Sequence, residues 1–327
     1  MIKKWILALV YIWAAFIPKG MAGQCSVSAQ PYEIFIESNG SKLFCKVMGK
    51  GKPLIVIHGG PGLTHEYLLP YFDALAGDHL VIFYDQRGCG QSTGEINPDT
   101  INVPNFINDL ENIRCAFNFD KISLLGHSWG GFLAMNYAIS HPQTVEKLIL
   151  SNSVPACTED HAQFFKEYLK RTAPYQEELS KIKATQEFQL GEPKEVEQFY
   201  RIMFRPYFYQ PEKIELLNLR RTSIACVNGE KIFKVIWENL LRNPYDLHTS
   251  LKTLSIPTLV IHGDADPIPL ITAQKIHESI QGSKYVVLNQ CGHFPYIECT
   301  EEYLSLLKEF LSVRENTKAS RKTQKNT

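Results

Sequence analysis

The chain has 327 residues, 44% of them hydrophobic and 21% charged, with 34 basic and 34 acidic side chains and a formal net charge of zero. That composition excludes a disordered chain and supplies enough apolar material for one large domain carrying an insertion. The neutral total hides an uneven distribution: residues 1–22 carry +3 and residues 314–327 carry +4, which leaves the body between them at −7 and argues against a nucleic-acid footprint on the folded part.

At the N-terminus, Lys3 and Lys4 precede an apolar run from Trp5 to Ile17, and small residues follow. This run is short for a membrane span and has the layout of a secretory signal peptide over residues 1–22, with cleavage after Ala22 or Ala29. The expected destination is the periplasm or the exterior, without stable membrane association once the signal is removed; an uncleaved membrane anchor is the alternative. The basic end, residues 313–327, reads as a solvated, disordered tail.

Tyr32–Glu37 and Lys42–Met48 are β-type runs joined by Ser38-Asn39-Gly40-Ser41, and the Asn-Gly pair predicts a two-residue hairpin turn. PLIVIHGGPG (53–62) and HLVIFYDQRGCG (79–90) are apolar strands that run into glycine-rich loops, with a helix predicted between them from about His65 to Ala76. A second helix is predicted from about Pro104 to Phe117. Ile122–Leu125 is a buried strand, followed by a sharp turn and a helix that places Leu133, Ala134, Tyr137 and Ala138 on one face. VEKLILSN (145–152) is the next strand. From 153 to 251 the pattern becomes charged, aromatic and helical, as expected of a cap inserted over a sheet. IPTLVIHGDADPI (256–268), a helix near Thr272–Ile280, KYVVLNQCGHFPYIE (284–298) and a helix near Glu301–Leu311 then restore the alternation. The expected architecture is an α/β core from residues 30–152 and 252–312, a mostly parallel sheet flanked by helices, with an inserted helical cap. Ligand-binding loops belong at the carboxyl ends of its strands.

Each conspicuous loop sits at such an end. Gly126-His127-Ser128-Trp129-Gly130 is a G-x-S-x-G turn between strand and helix, where the glycines allow a strained backbone that pushes the Ser128 hydroxyl clear of the sheet. A nucleophilic serine needs a base within hydrogen-bond reach and an acid to hold that base in the right tautomer. His293, after the last strand, is the candidate base; Asp264 and Asp266, after the preceding strand, are the candidate acids. Acyl transfer also needs hydrogen-bond donors for the developing oxyanion. The amide of Trp129 is one candidate, and Gly60 in the loop after the LIVIH strand is the other. His58 and His262 are read as packing or loop-bonding histidines, and His127, beside the nucleophile, as pointing away from it by the turn geometry. The eight cysteines are dispersed without C-x-x-C pairs, and His65-Glu66 opens like a zinc-protease helix with Leu69 where a second histidine is needed, so neither a metal nor a cofactor is expected.

HGGPG, YDQRGCGQS, GHSWGG, HGDAD and GH, in this order between about Tyr32 and Leu311, resemble the α/β-hydrolase superfamily and within it the proline iminopeptidases. The resemblance implies an α/β-hydrolase fold with Ser128 as nucleophile, His293 as base and Gly60 and Trp129 as oxyanion amides. The family spacing from Gly263 selects Asp266 over Asp264. It further implies cap carboxylates that bind the substrate's free amine; Glu197, Glu230 and Glu238 are available, with Glu230 and Glu238 foremost. The expected function is an exported serine hydrolase working through an acyl-enzyme, releasing N-terminal proline or a similar small residue from peptides. The alternatives are an esterase of small acyl substrates and a non-catalytic binding protein that retains the pocket.

Overall fold

The hairpin forms at the Asn-Gly pair. Strand β1 (Tyr32–Ser38) pairs antiparallel with β2 (Ser41–Gly49), and Ser38 stands opposite Ser41. Asn39 and Gly40 both take positive φ, 43° and 78°, the backbone that twists a two-residue turn in the sense of its strands. The computed structural model describes residues 30–313, so the leader expected over 1–22 and nearly all of the tail expected over 313–327 lie outside the described residues.

Beyond the hairpin come β3 (Lys52–Ile57), β4 (His79–Tyr84), β5 (Ile122–His127), β6 (Val145–Ser151), β7 (Thr258–Gly263) and β8 (Lys284–Leu288). Among the described residues they form one sheet in the order β1-β2-β4-β3-β5-β6-β7-β8, antiparallel from β1 to β4 and parallel from there on. The central strands are buried on both faces, which is why they read as nearly continuous apolar runs. Alternate residues serve two cores: Ile55 and Ile57 pack toward Leu110 and Leu133, whereas Leu54 and Val56 share the opposite core with Phe72 and Tyr303.

The flanking helices of the first half are α1 (Val103–Ala116), capped by the Asn102 side chain accepting from the Asn105 amide at 3.0 Å, and α2 (Trp129–Ser140). The single helix expected over His65–Ala76 is instead two 3-10 turns, His65–Leu68 and Tyr71–Leu75. Pro70 lies between them, and a residue without an N–H breaks the hydrogen-bond ladder that a continuous helix requires. Between β6 and β7 the chain is helical: α3 (Thr158–Thr172), α4 (Gln176–Lys183), α5 (Gln186–Gln189), α6 (Pro193–Phe204), α7 (Ser223–Arg242) and α8 (His248–Leu251). Its two ends are stitched together, since Thr158 donates to the Tyr245 carbonyl and Leu247 to that of Ala156, each at 2.9 Å. The core then closes with α9 (Leu270–Ser279), the short α10 (Pro295–Glu298) and α11 (Thr300–Ser312). No helix among the described residues is long and apolar enough to cross a membrane.

The insertion lies directly on the HGGPG loop. A Cβ built on Gly62 would collide with the Gly229 carbonyl of α7, and one on Gly229 with the Gly62 carbonyl. Backbone meets backbone at this crossing, which only glycine permits.

Candidate active site

Ser128 sits between β5 and α2 at φ 58°, ψ −121°, outside the conformations open to an unstrained L-residue. The surroundings over-determine it. Its N–H donates to the Ser151 carbonyl at 3.0 Å and its carbonyl accepts from Gly131 at 2.9 Å. Gly126 and Gly130 bring strand and helix close enough that a Cβ on either would meet backbone. The sequence-level argument for a strained serine at this turn rests on the same close approach.

His293 lies in the turn after β8, and its Nδ1 donates to Oδ2 of Asp266, after β7, at 2.8 Å. The other Asp266 oxygen accepts the Ile268 amide at 2.8 Å. Asp264, the rival carboxylate, is exposed and accepts the Cys291 amide at 3.1 Å. Burial would raise the Asp266 carboxyl, but the facing His293 and His262 rings and the Asn152 amide outweigh it and hold it below the usual carboxylate range. The group that faces His293 therefore stays an anion.

Ser128 and His293 open onto one cavity of about 330 Å³, whose wall also includes Gly60, His127 and, from the cap, Tyr168, Tyr200, Phe204, Glu230 and Trp237. Trp129 begins α2, so its N–H is one of the helix-terminal donors without an intrahelical acceptor. In the opposing loop the Gly59 amide is engaged by the Tyr67 hydroxyl at 2.6 Å, whereas the Gly60 amide has no hydrogen-bond partner among the described residues. Gln86 braces this loop against the start of α2: its side chain donates to the His58 carbonyl at 2.7 Å and accepts from the Trp129 indole at 3.0 Å.

The three remaining histidines near the site are bonded within the fold. His58 contacts the Gly59 carbonyl and the Gln86 amide, and His262 the Ile268 carbonyl. His127 bridges the Tyr67 hydroxyl and the His293 carbonyl at 2.7 and 2.8 Å, so it supports the loop of His293. Burial, reinforced by the His293 ring, pushes His127 down to about 3 and keeps it neutral.

The cap carboxylates separate. Glu230 lines the cavity and accepts the Tyr200 hydroxyl at 3.2 Å. Glu238 does not reach it: half-exposed, it faces Lys234 and Arg242 on the outside of α7. Eight residues on from Glu230, it stands about 80° around the helix, while Phe233 and Trp237 share the cavity side. Of the two foremost cap carboxylates, Glu230 lines this cavity and Glu238 lies outside it. Glu197 is paired with Arg201 at 2.7 Å and does not line the cavity either.

Asn152 was not singled out by the sequence reading, yet its side chain reaches both the Asp266 carboxylate and the Gly292 carbonyl. The available signal is a polar Ser-Asn-Ser run directly after the apolar Leu148-Ile149-Leu150 stretch. The cysteines are free thiols among the described residues, most of them buried, and no group of His, Cys, Asp and Glu there could hold a metal ion.

Residues 52–299 match the family model of the alpha/beta hydrolase fold. The chain belongs to the α/β-hydrolase fold family. This hydrolase is 30% identical over 302 residues to the proline iminopeptidase of Saccharolobus solfataricus, covering 87% of this chain and 95% of that one. It is 33% identical to the proline iminopeptidase of Heyndrickxia coagulans, covering 81% and 92%. Among solved structures it resembles an alpha/beta fold family hydrolase from Bacillus anthracis (TM-score 0.68, 20% identity, 86% of this chain and all of that one). It also resembles the proline iminopeptidase of Mycobacterium smegmatis (TM-score 0.63, 22% identity, 86% and 97%) and an esterase from Rhodococcus (TM-score 0.64, 20% identity, 86% and 98%).

Proposed function

We propose that this hydrolase acts through an acyl-enzyme on Ser128 and releases N-terminal proline or a similar small residue from peptides. The observation that carries the reading is one cavity lined by Ser128, the Asp266-bonded His293 and, from the cap, Glu230. The relatives' shared name points the same way.

In this mechanism Nε2 of His293 takes the Ser128 proton as Oγ bonds to the scissile carbonyl carbon, and Asp266 stabilises the imidazolium that forms. The amides of Trp129 and Gly60 receive the oxyanion. Collapse breaks the C–N bond, and the proton held on His293 passes to the leaving amine. Water then enters and gives a proton to His293 as its oxygen bonds to the ester carbon; the C–Oγ bond breaks, the proton on His293 returns to Ser128 Oγ, and the freed carboxylic acid leaves. Glu230 pairs with the protonated amine of the substrate, and the aromatic wall around it packs against the prolyl ring.

A second reading, an esterase of small acyl groups, has support of its own: apart from Glu230 and Lys183 the cap's share of the cavity wall is aromatic and aliphatic. The two readings divide on the substrate's charge. A free prolyl arylamide is expected to be cleaved at least ~10-fold faster than its N-acetyl form, about 1.4 kcal/mol, and Glu230→Gln is expected to remove most of that preference. Equal rates on both, with good turnover of neutral esters, would select the esterase.

A further inference from the structure

We propose that Asn152 is a positioning residue of the hydrolytic site, one amide group that ties the carboxylate of Asp266 to the loop bearing His293. The inference rests on the acid and base roles assigned above. Asn152 follows β6 and is fully buried. Its Nδ2 donates one hydrogen to Oδ2 of Asp266 at 2.7 Å and the other to the carbonyl of Gly292, the residue before His293, at 3.1 Å. A carboxylate and a carbonyl only accept, so the orientation of the amide is fixed by its partners. Its Oδ1 accepts from Ser151 at 3.4 Å, and Ser151 in turn accepts the Tyr303 hydroxyl at 3.0 Å. The main-chain N–H of Asn152 donates to Ile261 of β7 at 2.9 Å. Three successive sheet-end loops thus meet at one side chain.

Asn152 adopts φ 47°, a conformation in which asparagine is among the few tolerated non-glycine residues. Tolerance alone would explain an asparagine whose side chain bonds its own turn. This one spends both amide hydrogens on the loops of the acid and the base, which a turn role does not require. Oδ2 of Asp266 receives the Asn152 amide and the His293 Nδ1 hydrogen together, while Oδ1 receives the Ile268 amide, so the carboxylate cannot rotate away from the imidazole.

Withdrawing the amide has two consequences. The carboxylate and the His293 loop lose a shared anchor, which lowers the fraction of time the base is aligned. Oδ2 also becomes more basic, which favours the imidazolium and moves the acid limb of the pH profile upward. The other groups facing the pair are the His127 and Tyr207 rings, 4.8 and 5.2 Å from that of His293, and His262, 3.7 Å from Asp266. Arg171 is bonded to the carbonyls of Ala265 and Asp266, and Glu298 to the Gly292 amide. All of these remain in a variant at 152.

The test is the rate and pH dependence of fluorophosphonate labelling, in which Ser128 Oγ bonds to phosphorus, fluoride leaves and the hydroxyl proton passes to His293. Asn152→Gly deletes the amide at a φ that glycine adopts without strain; Asn152→Asp keeps the shape and reverses the donor, and serves if the glycine variant fails to fold. With the melting temperature recorded in parallel, each variant is expected to label at least ~10-fold more slowly than the parent, and in the glycine variant the acid limb is expected to shift to higher pH. On a turned-over ester, kcat is expected to fall with KM unchanged within about two-fold. Folded variants that label at the parental rate with an unmoved limb would overturn the positioning role while labelling of Ser128 itself upheld the serine mechanism. A parent chain that does not label, or labels equally as Ser128→Ala, would overturn both.

Discussion

Two carboxylates stand two residues apart after β7, and their surroundings divide the work between them. Asp266 is buried, bonded to His293, Asn152 and Ile268, and held as an anion. Asp264 is exposed and ties down the Cys291 amide. Asp266→Asn presents His293 with an amide that favours the wrong tautomer, and a fall of roughly 10⁴ in kcat is expected. Asp264→Asn keeps an acceptor for the same backbone N–H, so kcat is expected to stay within about ten-fold of the parent. Steady-state kinetics of the two purified variants check the ranking, and the reverse order would transfer the role to Asp264. The same logic explains Glu230 and Glu238, similar in sequence and separated by their angle around one helix.

At the scale of elements, the crossing of α7 over the HGGPG loop links cap to core through Gly62 and Gly229. The residue after Gly229 is Glu230, so the depth at which the helix seats sets how far that carboxylate enters the cavity. Gly229→Ala puts a methyl group against the Gly62 carbonyl. The expected cost is about 1–3 kcal/mol, as for other overpacked contacts, together with an outward displacement of α7. The variant is therefore expected to melt lower and to raise KM for a free prolyl arylamide more than for its N-acetyl form. An unchanged KM ratio in a folded variant would mean that the crossing does not position Glu230.

For the whole molecule, buried neutral histidines set the response to acid. Burial pushes His58 down to about 4, against the opposing pull of Asp85, and His127 down to about 3. Each is free to protonate once the chain unfolds. A histidine whose folded pKa is depressed contributes its full stability above the unfolded value near 6.5 and loses it as the pH falls toward the folded value. Between pH 7 and pH 5 each of the two is expected to cost about 2 kcal/mol, at roughly 1.4 kcal/mol per pH unit. The melting temperature is expected to drop by about 5 °C or more over that interval. Calorimetry at the two pH values measures it, and a flat or rising profile would show that these histidines are not neutral in the fold.

Local order was legible in the sequence because it follows from local rules. The Asn-Gly hairpin, the apolar strands, the G-x-S-x-G turn and the Ser128 and His293 positions rest on backbone preference and on which residues a buried parallel strand accepts. Pro70 is equally visible, and it divides the segment from His65 to Ala76 that the apolar pattern alone would make one helix. The residues alone left Asp264 and Asp266 open, because both lie within reach of a base brought from another loop and only the folded register places one of them under His293. Glu238 looked as eligible as Glu230 for the same reason: the direction a helix faces depends on what it packs against. Asn152 carried no motif at all. Its part comes from three loops, distant in sequence, that converge where β6, β7 and β8 end side by side, and no spacing along the chain encodes that meeting.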